Sequence, residues 1–234
     1  MISYETPNYI FHYQENSTAE KDIWKIAKLQ ESCFEYISNL LKVTLNFKIE
    51  YYLCETPDDV GQIYGDDEPC NGFACSPNKI YAVYNDEIKC LGFHEDAHIV
   101  SYVINTPNVT AIREGLAMYF DRKWWGIQNL DWAGHYIKTG EYISVKELLD
   151  NEVFDSKDCS ITYPIMGAFT DWLISTYGID KYLQFYKHED SSTALELVYN
   201  WTQEELNKAF VDYVRLFEID EVLEKRMLNL SKCL

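Results

Sequence analysis

Hydrophobic and polar positions repeat along this chain with two periods, one of strands and one of helices. Asn8 to Tyr13 reads as a short strand. Ser17-Thr18-Ala19-Glu20 is a capping box, and Ile23, Ile26, Cys33, Ile37 and Leu41 follow at helical spacing, which predicts a helix to about Lys42. Leu45, Phe47, Ile49, Tyr51 and Leu53 alternate with other residues and predict a strand. Thr56 to Gly72 is rich in Asp, Pro and Gly and reads as a loop. Asn71 to Cys75, Ser76-Pro77-Asn78 and Lys79 to Tyr84 read as a hairpin. Leu91 to Ile104 has a helical pattern that Pro107 ends. Thr110 is placed to cap a second helix running to about Trp124.

The second half is mostly helical in pattern. Ser144-x-x-Glu147 and Thr202-x-x-Glu205 are further capping boxes. Pro164 is placed to open a helix that Gly178 closes. Asp180 to Lys187 and Thr193 to Tyr199 add two more, and Gln203 to Leu230 reads as one long or broken helix. The expected fold class is α+β, with a lobe of residues 1–125 followed by a mostly helical lobe of residues 126–234.

Composition narrows the function classes. A length of 234 residues suits one large domain or two lobes. The chain is 47% hydrophobic and 15% aromatic, enough to bury a core and to exclude disorder. Its 19 tyrosines suit half-buried surfaces, where a ring packs and a hydroxyl stays wet. The net charge of −18 argues against nucleic acid and against an anionic membrane surface, and leaves peptides and small ligands open. The start of the chain shows no secretory pattern, and no stretch approaches the ~20 apolar residues of a membrane span. Seven cysteines, an odd number with no Cys-x-x-Cys pair, read as reduced thiols in a cytoplasmic protein. Cys70 and Cys75 flank a turn and could pair or bind metal, but their spacing is a weak signal.

One segment carries chemistry. His94-Glu95-Asp96-Ala97-His98 is a His-Glu-x-x-His motif. On a helix, positions i and i+4 share a face, so both imidazoles can reach one ion. Glu95 stands about 100° further round the helix, beside the ion rather than on it. That suits a carboxylate taking a proton from a metal-bound water. Two imidazoles and a carboxylate match the ligand preference of zinc. The apolar flanks of the motif mark a largely buried helix. Glu114, among Ile112, Gly115, Leu116 and Ala117, is the candidate third ligand, and Gly115 and Ala117 would let its helix approach the first closely. Asp96 is expected on another side of its helix, solvated or capping. His12 and His188 are expected at the surface.

These residues resemble the gluzincin metallopeptidases, in particular the small peptidase MA-like group. The likeness rests on His94-Glu95-x-x-His98 followed by Glu114-Gly115-Leu116-Ala117. It extends to Ala19–Glu35 as the group's first helix, to the hairpin Asn71–Tyr84, and to Tyr163–Gly178 as its C-terminal helix. The resemblance implies a zincin-like N-terminal lobe with a small mixed sheet and the zinc-binding helix, completed by the helical lobe. It implies zinc on His94, His98 and Glu114, Glu95 as general base, and an oxyanion stabiliser from the second lobe. Tyr163 is the choice for that role, and His135, in the aromatic loop Trp132–Tyr136, is the runner-up. The strand Gly72-Phe73-Ala74 would present its backbone to an extended peptide. Ser101 and Ile104 stand where a metzincin has its glycine and third ligand, which excludes that group. Asp121 is only a candidate partner for the ligands.

The expected function is hydrolysis of peptide bonds in a peptide or protein substrate by a zinc-activated water, with Glu95 as base. A negative chain would draw basic or neutral peptides. The alternative is a catalytically idle, zinc-bearing peptide- or protein-binding module, and the intact Glu95 argues against it. A third possibility is a structural protein with no metal.

Overall fold

The computed structural model describes residues 1–65 and 68–231. Asp66 and Asp67, within the expected loop, and Cys233 lie outside the described residues. The chain is α+β and divides into two compact units, Met1–Thr106 and Pro107–Leu234.

The first unit holds a five-stranded mixed sheet. Its strands are β1 (Ile2–Glu5), β2 (Tyr9–Tyr13), β3 (Ile49–Cys54), β4 (Gly72–Cys75) and β5 (Lys79–Val83), in the order β1-β2-β3-β5-β4. β2, β3 and β5 are parallel, and β1 and β4 are antiparallel edges. Alternation sends Tyr9, Phe11, Ile49, Tyr51, Leu53, Ile80 and Ala82 into the core. The opposite face carries a ladder of rings. His12 stacks on Tyr52 at 4.5 Å, Tyr52 on Tyr81 at 4.7 Å, and Tyr81 on Phe73 at 5.1 Å. Several of the tyrosines thus pack ring to ring on a half-buried surface.

Three helices complete this unit: α1 (Thr18–Leu41), α2 (Pro57–Tyr64) and α3 (His94–Tyr102). Ser17 caps α1 by accepting from the N–H of Glu20 at 3.1 Å, while the Glu20 carboxylate turns to the N–H of Asn16. Its buried stripe of Ile26, Cys33, Ile37 and Leu41 also carries a polar residue, Gln30. Two expectations need correction. Thr56–Gly72 is not all loop, because Thr56 and Asp59 form a capping box with Pro57 at the first helical position, and α2 follows. β3 starts at Ile49, leaving Leu45 and Phe47 outside the strand.

The second unit begins with α4 (Thr110–Asp121) and a two-strand hairpin, β6 (Lys123–Trp124) and β7 (Ile127–Gln128). Then come α5 (Asn129–Thr139), α6 (Val145–Leu148), α7 (Asn151–Asp155), α8 (Cys159–Tyr177), α9 (Ile179–Tyr186), α10 (Ser191–Tyr199), α11 (Gln203–Val214) and α12 (Glu221–Ser231). α8 is the central helix, buried on nearly every side from Pro164 to Ile174 and packed by α4, α5, α6 and α9.

Local signals place the α6 and α11 starts, where both capping boxes form in full. Elsewhere tertiary contacts decide. Thr110 is the first residue of α4 rather than its cap, and its N–H is satisfied by the Asn151 side chain at 2.8 Å. Pro164 does not open α8. Asp158 caps that helix and Pro164 lies within it. A proline has no N–H for the carbonyl four residues back, here Ser160, and the Tyr136 hydroxyl donates to that oxygen instead, at 2.8 Å. Gly178 ends α8 as expected, with φ 87°. Trp132–Tyr136 is not a loop but the middle of α5. No helix among the described residues is long and apolar enough to cross a membrane.

Candidate metal centre

The start of α3 is held by distant residues rather than by its own sequence. Its N-cap position is Phe93, which offers no side-chain acceptor, and Gly92 before it has φ +129°, a conformation that favours glycine. Gln30 of α1 reaches this turn. Its Nε2 donates to the Gly92 carbonyl at 3.0 Å, and its Oε1 accepts from the Gly92 N–H at 3.0 Å.

Asp96 departs from expectation. It is neither solvated nor a cap but fully buried, and its Oδ2 meets the Tyr9 hydroxyl at 2.5 Å and Gln30 Nε2 at 3.0 Å. Burial pushes its carboxyl well above the ordinary range, against the pull of those two hydrogen bonds. The Tyr9 hydroxyl also lies 3.1 Å from the Gln30 carbonyl.

From this start the helix presents its motif. His94 is half-buried and His98 buried, with ring centroids 5.1 Å apart. The Tyr102 hydroxyl, one turn on, lies 3.4 Å from His98 Nδ1. One ligand atom from each of His94, His98 and Glu114 lies within 4.8 Å of the others. This donor set could hold a metal ion; tetrahedral zinc with bonds of about 2.1 Å sets its ligands roughly 3.4 Å apart, closer than the 4.8 Å limit within which these atoms lie.

Glu95 is half-buried and faces the sheet. A Cβ placed on Gly72 of β4 would lie 3.5 Å from Glu95 Oε1. β4 is an edge strand, and the antiparallel alternation turns the backbone of Ala74 to its outer side. Gly115, beside Glu114, serves a close approach to α8. A Cβ there would meet Thr170 Oγ1 at 2.8 Å and the Met166 carbonyl at 3.0 Å.

No protein-family model and no curated protein matches the chain. Tyr163 lies inside α8, half-buried, its ring stacked on Phe154 at 5.9 Å and edge-on to Trp124 at 5.8 Å. His135 is 1% exposed in α5, against Trp132 and Tyr136, and neither ring nitrogen has a hydrogen-bond partner among the described residues. Burial lowers its pKa, offset in part by Glu141 and Glu224. Asp121 ends α4, half-buried. His12 and His188 are half-buried rather than fully exposed. No disulfide joins Cys33, Cys54, Cys70, Cys75, Cys90 and Cys159, so Cys70 and Cys75 do not pair.

Sequence reasoning missed Gln30, Tyr9 and Tyr102. Tyr102 was legible, four residues after His98. Gln30 left one signal, a polar residue on an apolar helical stripe.

Proposed function

We propose that this chain is a zinc-dependent peptidase of gluzincin type, with a zincin-like first lobe. The observation that carries the reading is the convergence of His94, His98 and Glu114 ligand atoms within 4.8 Å, with Glu95 next to the first of them in sequence. When bound, zinc supplies a Lewis acid that polarises a carbonyl and acidifies a water.

The chain's own residues do the rest. His94, His98 and Glu114 hold the ion, and Tyr102 orients His98 through its Nδ1. Glu95 accepts the proton of the attacking water and delivers it to the leaving amine nitrogen. The edge of β4 aligns an extended peptide by backbone hydrogen bonds beside Glu95. Tyr163 donates to the developing oxyanion. It keeps an exposed portion, whereas His135 is closed to solvent and is set aside for that role. Cysteines outside disulfides fit a reducing compartment, the cytoplasm. The excess of acidic residues favours basic or neutral peptides over acidic ones, and neither nucleic acid nor membrane is a partner.

The test is a library of internally quenched peptides offered to the zinc-loaded chain. Wild type is expected to cleave members of it. Glu95→Gln should retain zinc while losing roughly 100-fold or more in rate. Zinc retained by wild type with no cleavage across the library would favour the idle binding module instead.

A further inference from the structure

We infer that Gln30 is a positioning residue for the metal centre, because its amide fixes where α3 begins and so where His94 and Glu95 stand. The inference rests on the metal reading above.

Three observations carry it. First, α3 has no side-chain hydrogen bond at its N-cap, Phe93, so the cap residue does not fix the first turn. Second, Gln30 is fully buried and closes a two-bond ring on the peptide of Gly92, two residues ahead of His94. That ring also fixes the amide's orientation, since a flipped amide would set donor against donor and acceptor against acceptor. Third, the same Nε2 reaches Asp96 Oδ2, so one side chain grips the helix at its entry and again one turn in.

Helical geometry makes the consequence large. Each residue turns the helix by about 100° and advances it about 1.5 Å. A start displaced by one residue would turn the face that both imidazoles share by about 100°. Gln30 touches no ligand in this account. It acts through Gly92 and Asp96, and both partners lie more than sixty positions away in sequence.

The experiment loads the full chain with cobalt(II), whose visible absorption reports ligand geometry, and measures zinc affinity by chelator competition. Gln30→Leu keeps the side-chain bulk and removes every hydrogen bond. It should alter the cobalt band and weaken zinc binding roughly 10- to 100-fold. Ile37→Ala, a fully buried position on the same helix, lowers stability without touching the Gln30–Gly92 ring and should leave band and affinity at wild-type values. If Gln30→Leu fails to fold, Gln30→Met, close to glutamine in length and without a donor, is judged by the same readouts. Wild-type band and affinity in the folded Gln30 variant would overturn the inference. So would an equal change in Ile37→Ala. A wild-type chain that takes up no cobalt at all overturns the metal reading itself, which is a separate result.

Discussion

His98 and His135 are both shut away from water, at 6% and 1% exposure, yet their surroundings differ in kind. His98 has Tyr102 at one ring nitrogen and shares a converging group of ligand atoms with His94 and Glu114. His135 has only packing, with a tryptophan and a tyrosine ring against it and no partner on either nitrogen among the described residues. A buried polar group costs free energy unless something satisfies it. His98 has a reason to be polar, and in this account the reason is a metal. His135 bears the cost by staying neutral, as its lowered pKa indicates. Burial alone is thus a poor marker of chemistry, and convergence of several donors is a better one.

Removing each imidazole should separate the two. His98→Ala is expected to abolish stoichiometric zinc binding and with it hydrolysis, which is the largest effect. His135→Leu, similar in volume, removes two unsatisfied polar atoms. It should leave the folded chain as stable as wild type or more so by about 1 kcal/mol, read by denaturant unfolding. A loss of about 2 kcal/mol or more would mean that His135 has a partner the comparison lacks.

Acidification sharpens the same contrast. The ordinary imidazole pKa is about 6.5, and burial lowers that of His135 in the folded chain. The unfolded chain therefore takes up the proton first. The contribution is intact above about pH 6.5 and is lost as pH falls toward the depressed folded value. In metal-free protein, wild type should lose stability relative to His135→Leu between about pH 7 and pH 5. An unchanging difference over that range would contradict the neutral, unpartnered assignment. The smallest expected effect lies far from either imidazole. Thr202→Ala removes a cap whose hydroxyl accepts from Glu205 N–H at 3.2 Å, and should cost about 1 kcal/mol.

That last residue shows what a sequence makes legible. Thr202 and Glu205, like Ser144 and Glu147, interact three positions apart, so the pattern and the structure contain the same information. The His-Glu-x-x-His motif is legible for the same reason, because one turn of helix brings His94 and His98 together. α2 was legible too, in Thr56-Pro57-Asp58-Asp59, but its acidic and glycine-rich setting reads as loop. What escaped depends on residues far apart. Asp96 looks like a surface acid until Tyr9 and Gln30 are folded over it. Pro164 looks like a helix start until Tyr136 supplies the bond the proline cannot. Gly134 makes the middle of α5 look like a loop, and β1 is an exposed edge with no apolar alternation to announce it.

The most direct test of the central claim is the zinc content of three purified chains: wild type, His98→Ala and His135→Leu. The account predicts about one zinc per chain in wild type and in His135→Leu, and none in His98→Ala. Zinc absent from wild type, or retained unchanged in His98→Ala, would contradict it.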